Sequence, residues 1–124
     1  MMAVMTSKFI IVYGIPNCDT VKKARAWLTE HGVDHQFHDF KKQGVPEPRL
    51  DAWLEAAGWE KLVNRKGNTW RKLDEATQAA TVDAASARVL MLAQPSVIKR
   101  PVVQWSGGDI TVGFDPAVWQ GLIT

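Results

Sequence analysis

The feature that most constrains the fold is a strand-like run followed at once by a turn and a helical pattern. β-branched and aromatic residues fill positions 9–13, and the stretch 14–17 (GIPN) is typical of a turn. From residue 19 to 31, apolar side chains recur at helical spacing, and Gly32 is a natural stop. A short aromatic run at 35–40 follows closely, so we expect it to pair in parallel with the first strand. The chain therefore begins as a β-α-β unit.

The middle of the chain is dominated by helical patterns. Residues 47–57 place apolar side chains on one helical face, which predicts a helix. Between residues 59 and 73 the pattern breaks, so we expect short helices or turns there, and residues 74–80 are polar and alanine-rich. A further helix is predicted over 82–93, ended by Pro95. Its predicted apolar face consists of Val82, Ala85, Val89 and Leu92.

The last part of the chain predicts a β-hairpin and a helix. β-rich runs at 102–105 and 110–112 flank a Gly-rich turn. Asp115 and Pro116 then mark a helix start. The predicted fold class is α/β with a mixed four-stranded sheet, and 124 residues with 46% hydrophobic content suit one domain. The predicted parts of this domain, 1–124, are a β-α-β half at 1–40, a helical insertion at 41–95, and the hairpin with its C-terminal helix at 96–124.

Cysteine usage and hydropathy indicate the compartment. A single cysteine excludes an intramolecular disulfide, so a reducing compartment is the simpler assumption. The N-terminus lacks a basic segment followed by a long apolar one, and no apolar run approaches membrane-spanning length. We therefore expect a soluble, cytoplasmic protein without membrane contact.

The positive charge is mild overall but unevenly distributed. The net charge is +2, too small to imply a nucleic-acid partner, and all fifteen Lys and Arg residues precede residue 101. Seven of them would form one anion-attracting face if the fold brings them together: Lys61, Arg65, Lys66, Arg71, Lys72, Lys99 and Arg100. The alternative is a solvated helical face, which we favour for Lys66 and Lys72.

Cys18, the single cysteine, falls between the predicted turn and the predicted helix. The first N–H groups of a helix have no partner within the helix, and together with the helix dipole they favour a thiolate over a thiol. Asn17 and Asp19 are placed to cap this helix, Thr20 to hydrogen-bond locally, and Lys22 adds positive charge to its first turn. These surroundings predict a reactive nucleophile. The alternative is a small, buried and inert residue, as most free cysteines are.

The order of elements is similar to a thioredoxin-like fold with helices inserted before the hairpin. Three ordered motifs carry a closer resemblance: GIPNCDTVKKA from residue 14, NRKGNTWRKL at 64–73 and SVIKRPVV at 96–103. Together they resemble the arsenate reductase family of the ArsC and Spx type, and within it the YffB-like branch. The resemblance covers nearly the whole chain.

This resemblance implies a set of site residues. Cys18 matches the cysteine that attacks the oxyanion, while Arg71 and Arg100 match arginines that bind the oxyanion and stabilise the thiolate. Pro101 matches a proline that is usually cis and lies against the active cysteine, so we predict a cis Arg100–Pro101 bond. The alternative for both arginines is a weak surface ion pair. The predicted substrate- or glutathione-binding residues are Asn17, Thr20, Lys22 and Pro101.

The chain also departs from the pattern of the true arsenate reductases. Those proteins carry a third arginine shortly after the hairpin, and the stretch 112–115 here has none. They have a histidine before the cysteine where this chain has Gly14, and a serine and an arginine after it where Val21 and Lys22 stand. These departures leave open whether the substrate is arsenate or another acceptor of electrons.

A single cysteine cannot resolve its own mixed disulfide, so the second thiol must come from outside. We expect a glutathione-dependent thiol reductase with no bound cofactor and no metal site, glutathione as co-substrate, and glutaredoxin as a second partner. Arg71, Arg100 and Lys22 are placed to bind the carboxylates of glutathione. The alternatives are a true arsenate reductase, a fold with a vestigial site, and an Spx-like regulator that binds RNA polymerase. Some Spx-type proteins carry Cys-x-x-Cys, whereas this chain reads Cys18-Asp19-Thr20-Val21.

Overall fold

The computed structural model of the protein describes residues 10–123. The chain divides into two compact units. Of the described residues, 10–43 and 100–123 form the first unit, and Gly44–Lys99 form the second. Phe9, predicted to begin the first strand, lies outside the described residues.

The first unit is built on a mixed four-stranded sheet, as predicted. Its strands are β1 (Ile11–Gly14), β2 (Gln36–Asp39), β3 (Val102–Gln104) and β4 (Ile110–Val112), in the order β2-β1-β3-β4. β1 pairs with β2 in parallel, and β3 is antiparallel to both β1 and β4. The sheet confirms the predicted α/β class and the thioredoxin-like layout.

Three helices complete the described part of the first unit: α1 (Asp19–Glu30), α2 (Phe40–Gln43) and α8 (Pro116–Ile123). Side chains of β1, α1, β3 and α8 meet in one hydrophobic core made of Ile10, Val12, Ala24, Leu28, Val103, Trp105 and Trp119. The tryptophans pack edge to face, with the ring centroids of Trp105 and Trp119 5.0 Å apart. This core holds α1, and therefore the turn that precedes it, against the sheet.

The second unit is helical. Its helices are α3 (Glu47–Ala57), α4 (Trp59–Leu62), α5 (Asn68–Arg71), α6 (Glu75–Ala80) and α7 (Ala84–Ala93), followed by a 3₁₀ turn, Pro95–Val97. The predicted helix at 47–57 is confirmed at both ends, and Gly58 follows it with φ +85°, a conformation that favours glycine. The core of this unit includes the fully buried side chains of Leu50, Trp53, Leu62, Ala87 and Met91.

The predicted apolar face of α7 is wrong. Val82 and Val89 are 67% and 68% exposed, whereas Ala87, Leu90 and Met91 are buried. The helix is apolar almost all the way round, so the spacing of its residues does not select one face. It also begins two residues later than predicted, at Ala84, because Asp83 and Ser86 form a capping box at its N-terminus.

The second strand is shorter than predicted because Phe40 belongs to α2. The carboxylate of Asp39 accepts a hydrogen bond from the backbone N–H of Lys41 at 2.8 Å, and the side chain of Gln43 accepts one from the N–H of Asp39 at 3.2 Å. These bonds turn the backbone into a helix at the point where the strand ends. Within residues 10–123, no helix has the length and apolar character needed to cross a membrane.

Candidate active site

The turn between β1 and α1 is held by a close contact between Gly14 and Val21. A Cβ atom added to Gly14 would lie 2.9 Å from Cγ2 of Val21 and 3.6 Å from its Cγ1. Carbon atoms in ordinary contact are about 3.5–4.0 Å apart, so position 14 accepts no side chain while Val21 keeps its place. Val21 is fully buried in the first turn of α1. The side chain of Val21 therefore packs closely over Gly14 at the end of β1.

Cys18 is the N-cap residue of α1. Its backbone is extended, with φ −134° and ψ 123°, and its carbonyl accepts the first helical hydrogen bond, from the N–H of Lys22 at 2.9 Å. The sequence predicted Asn17 and Asp19 as caps, and this is wrong. Asn17 lies in the preceding turn and Asp19 is already the first helical residue, so Cys18 is the residue at the N-cap position.

The surroundings of Cys18 favour its thiolate, as the sequence predicted. Partial burial raises the pKa of the thiol, but the backbone N–H of Val21, the side chain of Arg100 and the backbone N–H of Thr20 together lower this pKa below its ordinary value. These groups donate toward the sulfur or carry positive charge, so each stabilises the anion more than the neutral thiol. The cysteine is half-buried.

Arg100 reaches Cys18 because of the antiparallel pairing of β1 and β3. Tyr13 lies opposite Val102 in this pairing, so the residues just before Val102 lie beside the end of β1, where the turn to Cys18 begins. The guanidinium of Arg100 acts on the sulfur both as a hydrogen-bond donor and through its charge. The predicted cis bond between Arg100 and Pro101 is confirmed, and Pro101 is buried.

The other predicted site residues have different places in the structure. Thr20 contributes its backbone N–H to Cys18, while Asn17 and Lys22 are exposed on either side of the thiol along the chain. Arg71 is the last residue of α5 in the second unit and is exposed. Its role at the site stays a prediction.

Sequence reasoning named the first N–H groups of this helix as donors without saying which residues carry them, and the structure assigns them to Val21 and Thr20. The signal for this assignment is positional, because an N-cap side chain faces the N–H groups two and three residues further on, which are those of Thr20 and Val21. Once Cys18 is recognised as the N-cap residue, these two N–H groups are the expected donors to its sulfur.

A cavity of about 720 Å³ opens between α1 and the segment that leads to β2. Its lining includes Pro16, Val21 and Lys22, which lie close to Cys18 in sequence, and continues to Arg25. The guanidinium carbon of Arg25 lies 4.3 Å from the centre of the Phe37 ring, a cation–π contact that orients this side chain. The far end of the lining carries the acidic residues Glu30 and Asp34.

Over the described stretch 10–123, no three or more His, Cys, Asp or Glu side chains lie close enough to hold a metal ion. His31 instead stacks on Trp27, with ring centroids 3.8 Å apart, and its Nδ1 lies 2.8 Å from the Trp27 carbonyl. The described site thus contains a cysteine, an arginine and helical N–H donors.

A mixed four-stranded sheet, a helical unit before the hairpin and a cysteine at the N-cap of α1 define a protein of the thioredoxin-like class. The sequence profile of the ArsC family matches residues 13–122, and the chain belongs to that family.

Several known proteins are similar to this chain over most of its length. An uncharacterized protein from Haemophilus influenzae is 39% identical over 111 residues, which are 90% of this chain and 96% of the relative. A solved YffB protein is 49% identical, with a TM-score of 0.87, over 93% of this chain and 99% of that one. A solved arsenate reductase (ArsC) related protein from Brucella melitensis is also 49% identical, with a TM-score of 0.72, over 100% and 99% of the two chains.

A global transcriptional regulator Spx from Streptococcus pyogenes is more distant. It is 28% identical over 90 residues, which are 71% of this chain and 66% of the regulator. The relatives therefore include both arsenate reductase-related and Spx-type proteins.

Proposed function

We propose that the protein is a glutathione-dependent thiol reductase that uses Cys18 as its nucleophile. The observation that carries the proposal is the placement of the Cys18 sulfur at the start of α1, where the N–H of Val21 and the guanidinium of Arg100 favour the thiolate. A thiolate is the reactive form in thiol–disulfide exchange. We place the reaction in the cytoplasm, where glutathione keeps thiols reduced.

The proposed reaction has three exchange steps. The Cys18 thiolate attacks one sulfur of a substrate disulfide, a new disulfide bond forms, and the other sulfur leaves with the electron pair and takes a proton from water. A glutathione thiolate then displaces the bound half of the substrate, which leaves a Cys18–glutathione disulfide. A second glutathione, or glutaredoxin, attacks this disulfide and restores the Cys18 thiolate. In the route through glutathione, two molecules of it are oxidised to one disulfide and the substrate is reduced to two thiols.

The residues around Cys18 suit an anionic co-substrate. Glutathione carries two carboxylates and one ammonium group, and the cavity along α1 is lined by Lys22 and Arg25 at one end and by Glu30 and Asp34 at the other. In this proposal Lys22 and Arg100 bind carboxylates, and Asn17, Thr20 and Pro101 flank the bound glutathione. The role of Arg71 in binding an anion stays what the family resemblance implies.

The contact between Gly14 and Val21 supports a disulfide substrate over arsenate. The resemblance to arsenate reductases places a histidine at position 14, and here even a Cβ atom would lie 2.9 Å from Val21. Position 21 holds an apolar valine where those proteins have a serine. We favour a reductase over a polymerase-binding regulator because the residue three positions after Cys18 is this buried valine and not a second cysteine.

The decisive experiment measures the thiol pKa and the glutathione adduct of the same protein. The pH dependence of alkylation by iodoacetamide gives the pKa of Cys18, and intact-mass spectrometry after incubation with oxidised glutathione detects the adduct. We expect a pKa below about 8.5, the value of a free thiol, and one glutathione per chain. Cys18→Ser should give no adduct. A pKa at or above that value together with no adduct would contradict the proposal.

A second assay distinguishes the substrates. Turnover is measured with a model disulfide and with arsenate, each with glutathione, for the wild type, Cys18→Ser and Lys22→Gln. We expect turnover of the disulfide to exceed that of arsenate and to vanish in Cys18→Ser. Lys22→Gln should raise the KM for glutathione, while Lys23→Gln, an exposed lysine one residue along that does not line the cavity, should not. Arsenate turnover that survives Cys18→Ser would refute the assignment.

A further inference from the structure

Four cationic side chains line one small cavity in the second unit. The cavity measures about 220 Å³, and its lining includes Lys61, Arg65, Lys66 and Lys99. Lys99 comes from a part of the chain far from the other three in sequence. Lys66, for which the sequence favours a solvated face, is exposed and also lines this cavity.

Backbone hydrogen bonds hold the two segments of the lining together. The N–H of Lys99 donates to the carbonyl of Leu62 at 2.7 Å, and the N–H of Asn64 donates to the carbonyl of Val97 at 2.8 Å. Between these two bonds, Val63 and Ile98 form an antiparallel bridge, and both are buried. The cationic residues therefore project from a fixed backbone frame and not from independent loops.

The loop that carries Lys66 is also ordered locally. The side-chain oxygen of Asn64 accepts a hydrogen bond from the backbone N–H of Lys66 at 3.2 Å, and the carbonyl of Asn64 accepts one from the N–H of Gly67 at 3.2 Å. A Cβ atom at Gly67 would lie 2.8 Å from Nδ2 of Asn64, so the turn is close-packed on its inner side. This turn keeps Arg65 and Lys66 next to the bridged segments.

The positive charge of the cavity is poorly balanced by the protein. Among the described residues of the lining, Glu60 is the one carboxylate, and it lies 3.9 Å from Arg65, with side chains 71% and 49% exposed. An ion pair that is so exposed, with so long a distance between its atoms, contributes little stabilisation. Four other carboxylates of this unit have partners elsewhere: Glu47 and Asp51 pair with Arg88, and Asp74 and Asp83 accept bonds from helical N–H groups.

We propose that this cavity binds a small phosphorylated ligand that carries at least two negative charges. Four cationic groups against one carboxylate repel one another, and a multiply charged anion removes this repulsion. Phosphate oxygens accept several charge-assisted hydrogen bonds at once, which matches the donors of three lysines and an arginine. The volume is below that of cavities which enclose drug-sized molecules, about 300–1,000 Å³, so it suits a phosphate group and little more. The proposal is independent of the reaction at Cys18.

The test is calorimetric titration of the full chain with pyrophosphate, using two matched lysine variants. Lys99→Gln removes one charge from the cavity, and Lys72→Gln removes one charge from an exposed lysine of the same unit that is not in the lining. We expect saturable binding in the wild type, weakened about tenfold by Lys99→Gln because one charge-assisted bond is lost. Lys72→Gln should change the affinity by less than about twofold. Lys61→Gln, a second cavity variant, should weaken binding as Lys99→Gln does.

Three results would overturn the proposal. One is the absence of saturable binding of pyrophosphate to the wild type. Another is equal weakening in Lys72→Gln and the two cavity variants, since this would mean attraction by overall charge. The third is binding of citrate as tight as that of pyrophosphate, because a carboxylate anion of similar charge lacks the tetrahedral phosphate oxygens. Circular dichroism checks that each variant is folded; the substituted lysines are exposed, so we expect native spectra.

Discussion

Replacing Gly14 with alanine tests how tightly the turn that carries Cys18 is packed. The added Cβ would lie 2.9 Å from Cγ2 of Val21, which is too close by about 0.6 Å or more for two carbon atoms. Val21 is fully buried and β-branched, and such a side chain has essentially one rotamer in a helix, so it cannot turn away. The strain must then move α1 or distort Val21.

The expected change in the free energy of unfolding is the difference between two opposing effects. Overpacking of this kind costs about 1–3 kcal/mol, and the loss of glycine's freedom in the unfolded chain stabilises by about 0.4–1 kcal/mol. We expect Gly14→Ala to lower the free energy of unfolding by about 1–2 kcal/mol. Gly14 is not among the described glycines with positive φ, so the loss is steric and not a backbone effect.

A double-mutant cycle isolates the contact. Val21→Ala alone removes two buried methyl groups and should cost about 1.5–3 kcal/mol. In the double variant the new Cβ at position 14 has space, so the loss should be smaller than the sum of the single losses by at least about 1 kcal/mol. Urea unfolding gives the free energy of unfolding of each variant. Additivity within about 0.5 kcal/mol would show that the two residues do not meet and would refute the reasoning. Gly121→Ala is the control: it lies in α8, no neighbouring atom of residues 10–123 comes within 4 Å of the added Cβ, and the change should be neutral or stabilising.

Three further predictions concern the charges of the described residues. Arg100→Met should raise the pKa of Cys18, measured by alkylation against pH, because it removes both a hydrogen-bond donor and a positive charge. Lys23→Gln is the control and should leave this pKa unchanged. An unchanged pKa in Arg100→Met would contradict the interaction between Arg100 and Cys18. Because the folded-state pKa of Cys18 is lowered, its thiolate stabilises the fold at pH above the unfolded thiol's pKa, about 8.5, and this contribution is lost as the pH falls through the folded-state pKa. The stability of the wild type relative to Cys18→Ser should therefore rise with pH across that window, and a flat difference would count against a lowered pKa. Asp83→Ala should lower the thermal unfolding midpoint, while Asp83→Asn should lower it much less because asparagine also caps helices. Equal decreases in the two variants would argue against the capping role.

Much of the site's local structure follows from sequence because its causes are local. β-branched residues, a Gly-Ile-Pro-Asn turn and helical spacing predict the strand, the turn and α1, and they place Cys18 at the junction. The identity of the helix cap did not follow, since Asn17 is the stronger capping residue in peptides but lies one position too early here. The family motifs added the cis Arg100–Pro101 bond, which no local pattern indicates.

The sequence by itself determined the α/β class, the bounds of α3 and the position of the only thiol, because hydrophobic period and turn residues act over a few neighbours. Only the tertiary structure decided which distant groups meet. The register of β1 against β3 brings Arg100 to Cys18, and the bridge between Val63 and Ile98 brings Lys99 to Lys61. Packing also chose the buried face of α7, where periodicity allowed more than one. These outcomes depend on pairing and burial across the chain, which no short stretch of sequence specifies.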